Sequence, residues 1–128
     1  MTYYFSKTIS NDDLGAVEKR LRAALKDAGF GVLTEIDVKS TLKQKIDVDF
    51  RPYRILGACN PELAHLALTA EDKIGTMLPC NVILQVLDDG VEVAAVDPSE
   101  SMRAVDNSAL AKIAATVGQK LKGVIESL

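Results

Sequence analysis

Two cysteines, each followed directly by an asparagine, are the residues best suited to chemistry in this sequence. Cys59 falls in Gly57-Ala58-Cys59-Asn60-Pro61, at the end of a predicted strand and just ahead of a helix N-terminus. Unpaired backbone amides and the positive end of the helix dipole stabilise a thiolate at such a position. Cys80 falls in Leu78-Pro79-Cys80-Asn81, at the entry to the next strand. The two motifs predict a thiol pair, or a thiol-lined pocket, at one edge of a sheet.

A simpler interpretation explains the same residues without any site. Free cysteine is among the most buried residue types and packs as a small hydrophobe. Asn60 is explained by capping a helix whose first residue is Pro61. Asn81 is explained by a hydrogen bond at the entry to its strand. On the residues alone, both interpretations stay open.

The sequence has few residues suited to a metal site or to a nucleophile with a general base. Cys59 and Cys80 are 21 positions apart, which is neither a CxxC nor a zinc-ribbon spacing. A zinc site that joined them to His65 would need a fourth ligand, so no metal is predicted. His65, the one histidine, is predicted to face solvent, which leaves a thiol or hydroxyl nucleophile without a base. No cofactor can be named.

Composition and charge exclude several classes of partner. The chain has 128 residues, 48% of them apolar, and a net charge of −3, which fits one domain over residues 1–128. Nucleic acids and anionic membranes favour a basic excess, so neither is an expected partner. No stretch approaches the roughly 18 apolar residues of a membrane helix. The N-terminus lacks a charged leader, so we expect a cytoplasmic protein with reduced thiols.

Hydrophobic periodicity predicts a succession of strands and helices. Residues 71–78 are predicted to be a connecting loop. The predicted strands are 2–9, 30–38, 53–59, 81–88 and 91–97, and the predicted helices are 11–28, 38–46, a short one that opens at Pro61, and 108–128. The sequence thus predicts an α+β domain with a single, mostly antiparallel five-stranded sheet and two long helices packed on it.

Local signals predict how several elements begin and end. Ser10, three residues before Asp13, resembles a capping box for the first long helix. Asp37 is suited to cap the 38–46 helix, whose Ile46 is predicted to face inward. Asp89-Gly90 is predicted to form a type I′ hairpin turn.

At these residues the sequence resembles the domain-of-unknown-function family numbered 302, from about Phe5 to Leu128. The resemblance rests on segments in the first half of the chain and on both cysteine motifs. These segments are Gly29-Phe30-Gly31-Val32-Leu33, Glu35-Ile36-Asp37-Val38, Leu42 to Lys45, Gly57-Ala58-Cys59-Asn60-Pro61 and Leu78-Pro79-Cys80-Asn81-Val82.

The resemblance implies a small soluble prokaryotic protein with a TATA-binding-protein-like β-α-β4-α topology, and a homodimer. It supplies no reaction, but it implies a set of motif positions. These positions are Asp37, Lys45, Cys59, Asn60, Pro61, Pro79, Cys80 and Asn81. If the two Cys-Asn segments lie side by side, they would line one pocket between the sheet and a helix. Asp37 and Lys45 would then contribute opposite charges at its rim.

Three functions are compatible with these observations, and whether the protein is an enzyme stays open. The first is a dimeric small-ligand-binding or regulatory domain with a pocket lined by Cys59, Cys80 and Asn81. The second is a thiol-dependent enzyme, a redox protein or a soft-metal protein that uses Cys59. The third is a structural interaction module whose only functional surface is its dimer interface. A pocket of a few hundred cubic ångströms would favour the first, and a filled core around both thiols would exclude it.

Overall fold

The computed structural model describes residues 2–128, which form one antiparallel sheet and the helices around it. The strands are β1 (Tyr4–Ile9), β2 (Gly31–Asp37), β3 (Tyr53–Cys59), β4 (Cys80–Leu87) and β5 (Gly90–Val96). The helices are α1 (Leu14–Asp27), α2 (Val38–Ile46), α3 (Pro61–Ala70), α4 (Pro98–Ser101) and α5 (Ser108–Glu126). The order in the sheet is β1-β5-β4-β3-β2, and every neighbouring pair is antiparallel. The predicted α+β class with five antiparallel strands is therefore confirmed. The element order follows β-α-β4-α once α2, α3 and α4 are treated as insertions.

One face of the sheet is covered by the two long helices. Alternate residues of the strands point to this face because side chains along a strand alternate between its two sides. They form the main core with apolar residues of α1 and of the second half of α5. The fully or nearly fully buried members from these three sources are Leu56, Ala58, Val82, Leu84, Val91, Val93, Ala95, Val17, Leu21, Leu25, Leu121, Val124 and Ile125.

A second, smaller core lies beside the first. It consists of Ala67 from α3, Met102 after α4, and Leu110 and Ala114 from the first half of α5, together with Ile74. Residues 71–78 were predicted to be a loop, but Asp72–Met77 form a 3-10 helix that buries Ile74. This segment folds because it closes the second core from the side of α3.

The predicted start of α1 is wrong. Ser10 does not cap it and instead donates its hydroxyl to Asp89 O at 3.2 Å. The cap is Asp13, whose Oδ1 accepts from Ala16 N at 2.8 Å. Asn11 has a left-handed φ of 58°, so the chain cannot enter the helix there and α1 begins three residues later than predicted.

Two further local predictions are corrected. The hairpin forms as predicted, but Leu87 pairs with Gly90 and the two-residue connection is Asp88 and Asp89. Neither aspartate has a positive φ, so the turn is not type I′, which needs positive φ at both central residues. Ile46 is 62% exposed rather than inward, because α2 ends at the rim of the sheet and contributes no buried residue.

Candidate functional site

A cavity of about 310 Å³ separates the second core from the end of the sheet. The sheet contributes Ala58, Cys59 and Cys80 to its wall, and α3 contributes Ala64, Ala67 and Leu68. The opposite wall is the first half of α5, with Leu110, Ile113, Ala114 and Val117. The interior is therefore not filled around the two cysteines.

Small side chains on the helices create the space. Three alanines line the cavity at positions where larger apolar side chains would fill it. They are Ala64 and Ala67 on α3 and Ala114 on α5. The sequence analysis predicted that the 108–128 helix packs on the sheet, and so missed this wall. The three alanines were the available signal, but an alanine is equally compatible with a close helix contact.

Cys59 and Cys80 reach the cavity from neighbouring strands. Cys80 is the register partner of Ala58, while Cys59 is the next residue along β3 and pairs with Gly31 of β2. Alternation alone would turn Cys59 to the opposite face from Ala58 and Cys80, but Cys59 is the last residue of β3 and lines the same cavity as they do. The two thiols thus lie on adjacent strands without facing each other as a directly opposed pair.

The two thiols have different environments. Cys80 is 7% exposed, whereas Cys59 is half-buried at the point where β3 passes into α3. Burial raises the pKa of the Cys80 thiol to about 11, and the neighbouring Cys59 adds to the increase. Cys80 is therefore a neutral thiol near pH 7 and a poor nucleophile.

Asn60 joins the cavity wall to the start of α3. Its Oδ1 accepts from Leu63 N at 3.1 Å, so the predicted helix cap is present. The side chain also lines the cavity, and its Nδ2 lies over Gly29, 3.0 Å from where a Cβ would be. Within residues 2–128, Nδ2 has no hydrogen-bond partner on the protein.

Gly57 and Pro79 shape the end of the sheet next to the thiols. A Cβ at Gly57 would overlap Thr34 Oγ1 and come within 2.6 Å of Pro79 Cγ. Glycine at this position thus lets Pro79 lie against β3. The Leu78–Pro79 peptide bond is cis, and both residues line the cavity.

The structure does not bring the other candidate residues to the cavity. Asn81 is exposed and lines a depression on the opposite face of the sheet, because it follows Cys80 by one residue along β4. Asp37 caps α2 by accepting from Ser40 N at 3.0 Å, as predicted. Lys45 is exposed on α2. Neither Asp37 nor Lys45 is among the residues of the cavity wall.

Groups suited to metals or to acid–base chemistry do not converge here. His65 is exposed on α3, as predicted. The part of the chain that the structure describes contains no cluster of three or more His, Cys, Asp or Glu side chains placed to hold a metal ion. In residues 2–128, no helix combines the length and the apolar character needed to cross a bilayer.

The fold and the cavity define a small α+β domain in which the end of an antiparallel sheet, α3 and α5 border an apolar space. The chain belongs to the family described as domain of unknown function DUF302, whose model matches residues 5–128. The family resemblance is thus confirmed.

A solved relative has the same fold. The crystal structure of an uncharacterized conserved DUF302 protein from Bacillus stearothermophilus is similar to this chain with a TM-score of 0.91 and 27% sequence identity. The similarity covers 98% of each chain. No curated protein matches the chain.

Proposed function

We propose that this protein is a homodimeric domain that binds a small molecule in the cavity beside Cys59 and Cys80. The observation that carries the proposal is the cavity itself, about 310 Å³ of space between the end of the sheet, α3 and α5. Its size falls at the lower end of the range for small-molecule sites, which are mostly apolar concavities with a few polar groups.

The energetic cost of empty space supports this function. Protein interiors are close-packed, with few voids larger than a water molecule. The cavity opens to solvent beside Leu33 and Leu68, so its apolar wall forgoes packing contacts and faces water instead. A bound molecule would restore the lost contacts.

Native mass spectrometry of protein purified from its source cells tests the proposal. We expect a small-molecule adduct on the wild type that is lost on denaturation. Ala114→Leu fills the cavity and should remove the adduct. Ala115→Leu is the matched control, since Ala115 is exposed on the same helix and absent from the cavity wall. Equal adducts on both variants, or none on the wild type, would contradict the proposal.

The dimer is proposed to form through the face of the sheet opposite α1 and α5. This face carries Tyr4, which is 41% exposed, and the half-buried Tyr53, Ile55 and Ile83. Five strands spaced about 4.8 Å apart and about six residues long give roughly 500 Å² on each partner. Two such faces reach roughly 1,000 Å², the lower limit for a specific interface.

A polar row across the same face supports pairing with a second copy. Arg51 Nε donates to Gln85 Oε1 at 2.8 Å, and Gln85 Nε2 donates to Glu92 Oε1 at 2.8 Å. The row is positive at one end and negative at the other, so a two-fold axis would place Arg51 of each copy near Glu92 of the other.

Sedimentation at micromolar concentration tests the dimer. We expect the wild type to sediment as a dimer and Ile83→Glu as a monomer. Leu66→Glu, on the exposed side of α3 and 52% exposed, should stay dimeric. A monomeric wild type would overturn the dimer but leave ligand binding standing.

Thiol chemistry at Cys59 is the second candidate function. It is favoured by one observation, that Cys59 is half-buried on the cavity wall while Cys80 is held neutral. Alkylation rates of Cys59→Ser and Cys80→Ser separate the two thiols. A Cys59 that reacts no faster than free cysteine would leave ligand binding as the function.

We propose a cytoplasmic location, where Cys59 and Cys80 would be kept as thiols.

A further inference from the structure

The wall of the cavity carries no ionisable group other than the two thiols. Of the residues that line it in the described part of the chain, none is Asp, Glu, Lys, Arg or His. Burying an unpaired ion in such surroundings is strongly unfavourable, because nothing replaces its hydration. A charged ligand would have no partner inside this cavity.

Asn60 is the one side-chain amide among the described residues that line the cavity. Its Oδ1 is occupied by Leu63 N, and its Nδ2 has no protein partner within residues 2–128. A neutral acceptor such as a carbonyl oxygen fits this donor. An unmatched polar group on an apolar wall would otherwise have to rely on water.

Volume and exposure limit the size of the molecule. An apolar cavity of about 150 Å³ stays dry and takes up benzene. This cavity is about 310 Å³, so it has room for two fused rings or a short chain of equal volume. Leu33 and Leu68 line it and are 67% and 42% exposed, which places an apolar mouth at the surface.

We infer that the cavity selects a neutral, mainly apolar molecule of about two-ring size, with one acceptor directed at Asn60 Nδ2. This inference rests on the proposed function and specifies the chemical class of its ligand.

Three naphthalene probes of nearly equal size test the inference. They are 2-acetylnaphthalene, which is neutral with one carbonyl, 2-ethylnaphthalene, which has no acceptor, and 2-naphthoate, which is an anion. Dissociation constants would be measured by ligand-observed NMR at pH 7. We expect the ketone to bind about threefold to tenfold more tightly than the hydrocarbon, the range of one net hydrogen bond. The anion should bind at least about tenfold more weakly than the ketone. Equal or tighter binding of 2-naphthoate would overturn the inference.

A variant of Asn60 tests the donor. Asn60→Asp keeps the oxygen that caps α3 but removes the N–H groups, so the ketone should lose its advantage over the hydrocarbon. Asn107→Asp is the control for adding a charge to a helix cap, since Asn107 caps α5 through Leu110 N, donates Nδ2 to Ala70 O at 2.8 Å and does not line the cavity. It should leave the ratio of the two affinities unchanged. An unchanged ratio in Asn60→Asp would remove Asn60 from the inference.

Failure of the ligand class can be separated from failure of the proposed function. If no probe binds but the wild type carries an adduct that Ala114→Leu lacks, the ligand class is wrong and the cavity is still a binding site. If the probes bind equally to the wild type and to Ala114→Leu, they lie outside the cavity and the inference is wrong. If the adduct is also missing from the wild type, both fail.

Discussion

Both halves of α5 contain buried residues, but these residues have different neighbours. In the second half, Leu121, Val124 and Ile125 are 0–4% exposed and pack into the main core. In the first half, Leu110 and Ala114 are 1% and 3% exposed and border the cavity. Low exposure alone therefore does not show that a region is filled. The size of the facing residues decides it, since Ala64 and Ala67 of α3 stand opposite the first half.

Truncating the filled half should have the largest effect. Leu121→Ala removes a fully buried side chain from the main core and leaves a void, so we expect a loss of about 3–4 kcal/mol in the free energy of unfolding. Ligand affinity should not change, because Leu121 is not on the cavity wall. Urea unfolding measures the first quantity and probe titration the second. A loss below about 1 kcal/mol would show that this half is loosely packed as well.

Alkaline pH should lower the free energy of unfolding, because it ionises the Cys80 thiol at the end of the sheet. Its pKa is about 11 in the fold against an ordinary value of 9.0, so the protonated thiol stabilises the folded state. That stability is present below about pH 9 and is lost as the pH rises through about 11, by up to about 3 kcal/mol. Urea unfolding of the wild type and Cys80→Ala from pH 8 to 11 isolates the effect. The difference in the free energy of unfolding between the wild type and Cys80→Ala should become smaller as the pH rises. A constant difference would contradict the raised pKa.

Enlarging a side chain should destabilise the filled main core more than the cavity wall. Ala95 lies in the main core and is 1% exposed, so Ala95→Leu should cost about 1–3 kcal/mol through overpacking. Ala114→Leu should cost less than about 1 kcal/mol or stabilise, because the cavity accepts the added atoms. Thermal unfolding of both variants measures the contrast. Equal losses would indicate that the cavity is not available space.

The smallest effect is expected outside both regions. Asp37→Ala removes the cap of α2 and should cost about 1 kcal/mol, while Asp37→Ser, which keeps a capping oxygen, should cost less. Neither variant should change probe affinity, because Asp37 is not on the cavity wall. A clear loss of affinity would show that the family position at Asp37 serves the ligand rather than the helix.

Elements with strong local signals could be predicted from the sequence, and those that depend on competing signals could not. β3 has the predicted bounds 53–59, because Pro52 precedes it and Asn60 caps the helix that follows it. α2 has the predicted bounds 38–46, because Asp37 caps it. The start of α1 was missed because Ser10 and Asp13 are both good caps, and tertiary structure assigned Ser10 to Asp89.

The site was predicted in part. Both cysteines and Asn60 do line one cavity, because the antiparallel pairing of β3 and β4 places the end of β3 beside the start of β4. Asn81 was grouped with Cys80, although alternation along β4 alone sends the two to opposite faces. The α5 wall could not be foreseen, because the identity of an alanine does not show what it faces.

Methyl NMR of α5 during a titration with 2-acetylnaphthalene tests the central claim most directly, since one helix supplies both regions. We expect the methyl signals of Leu110, Ile113, Ala114 and Val117 to shift until the site is saturated, while those of Leu121, Val124 and Ile125 stay in place. Shifts spread evenly along the helix, or confined to residues outside the cavity wall, would contradict it.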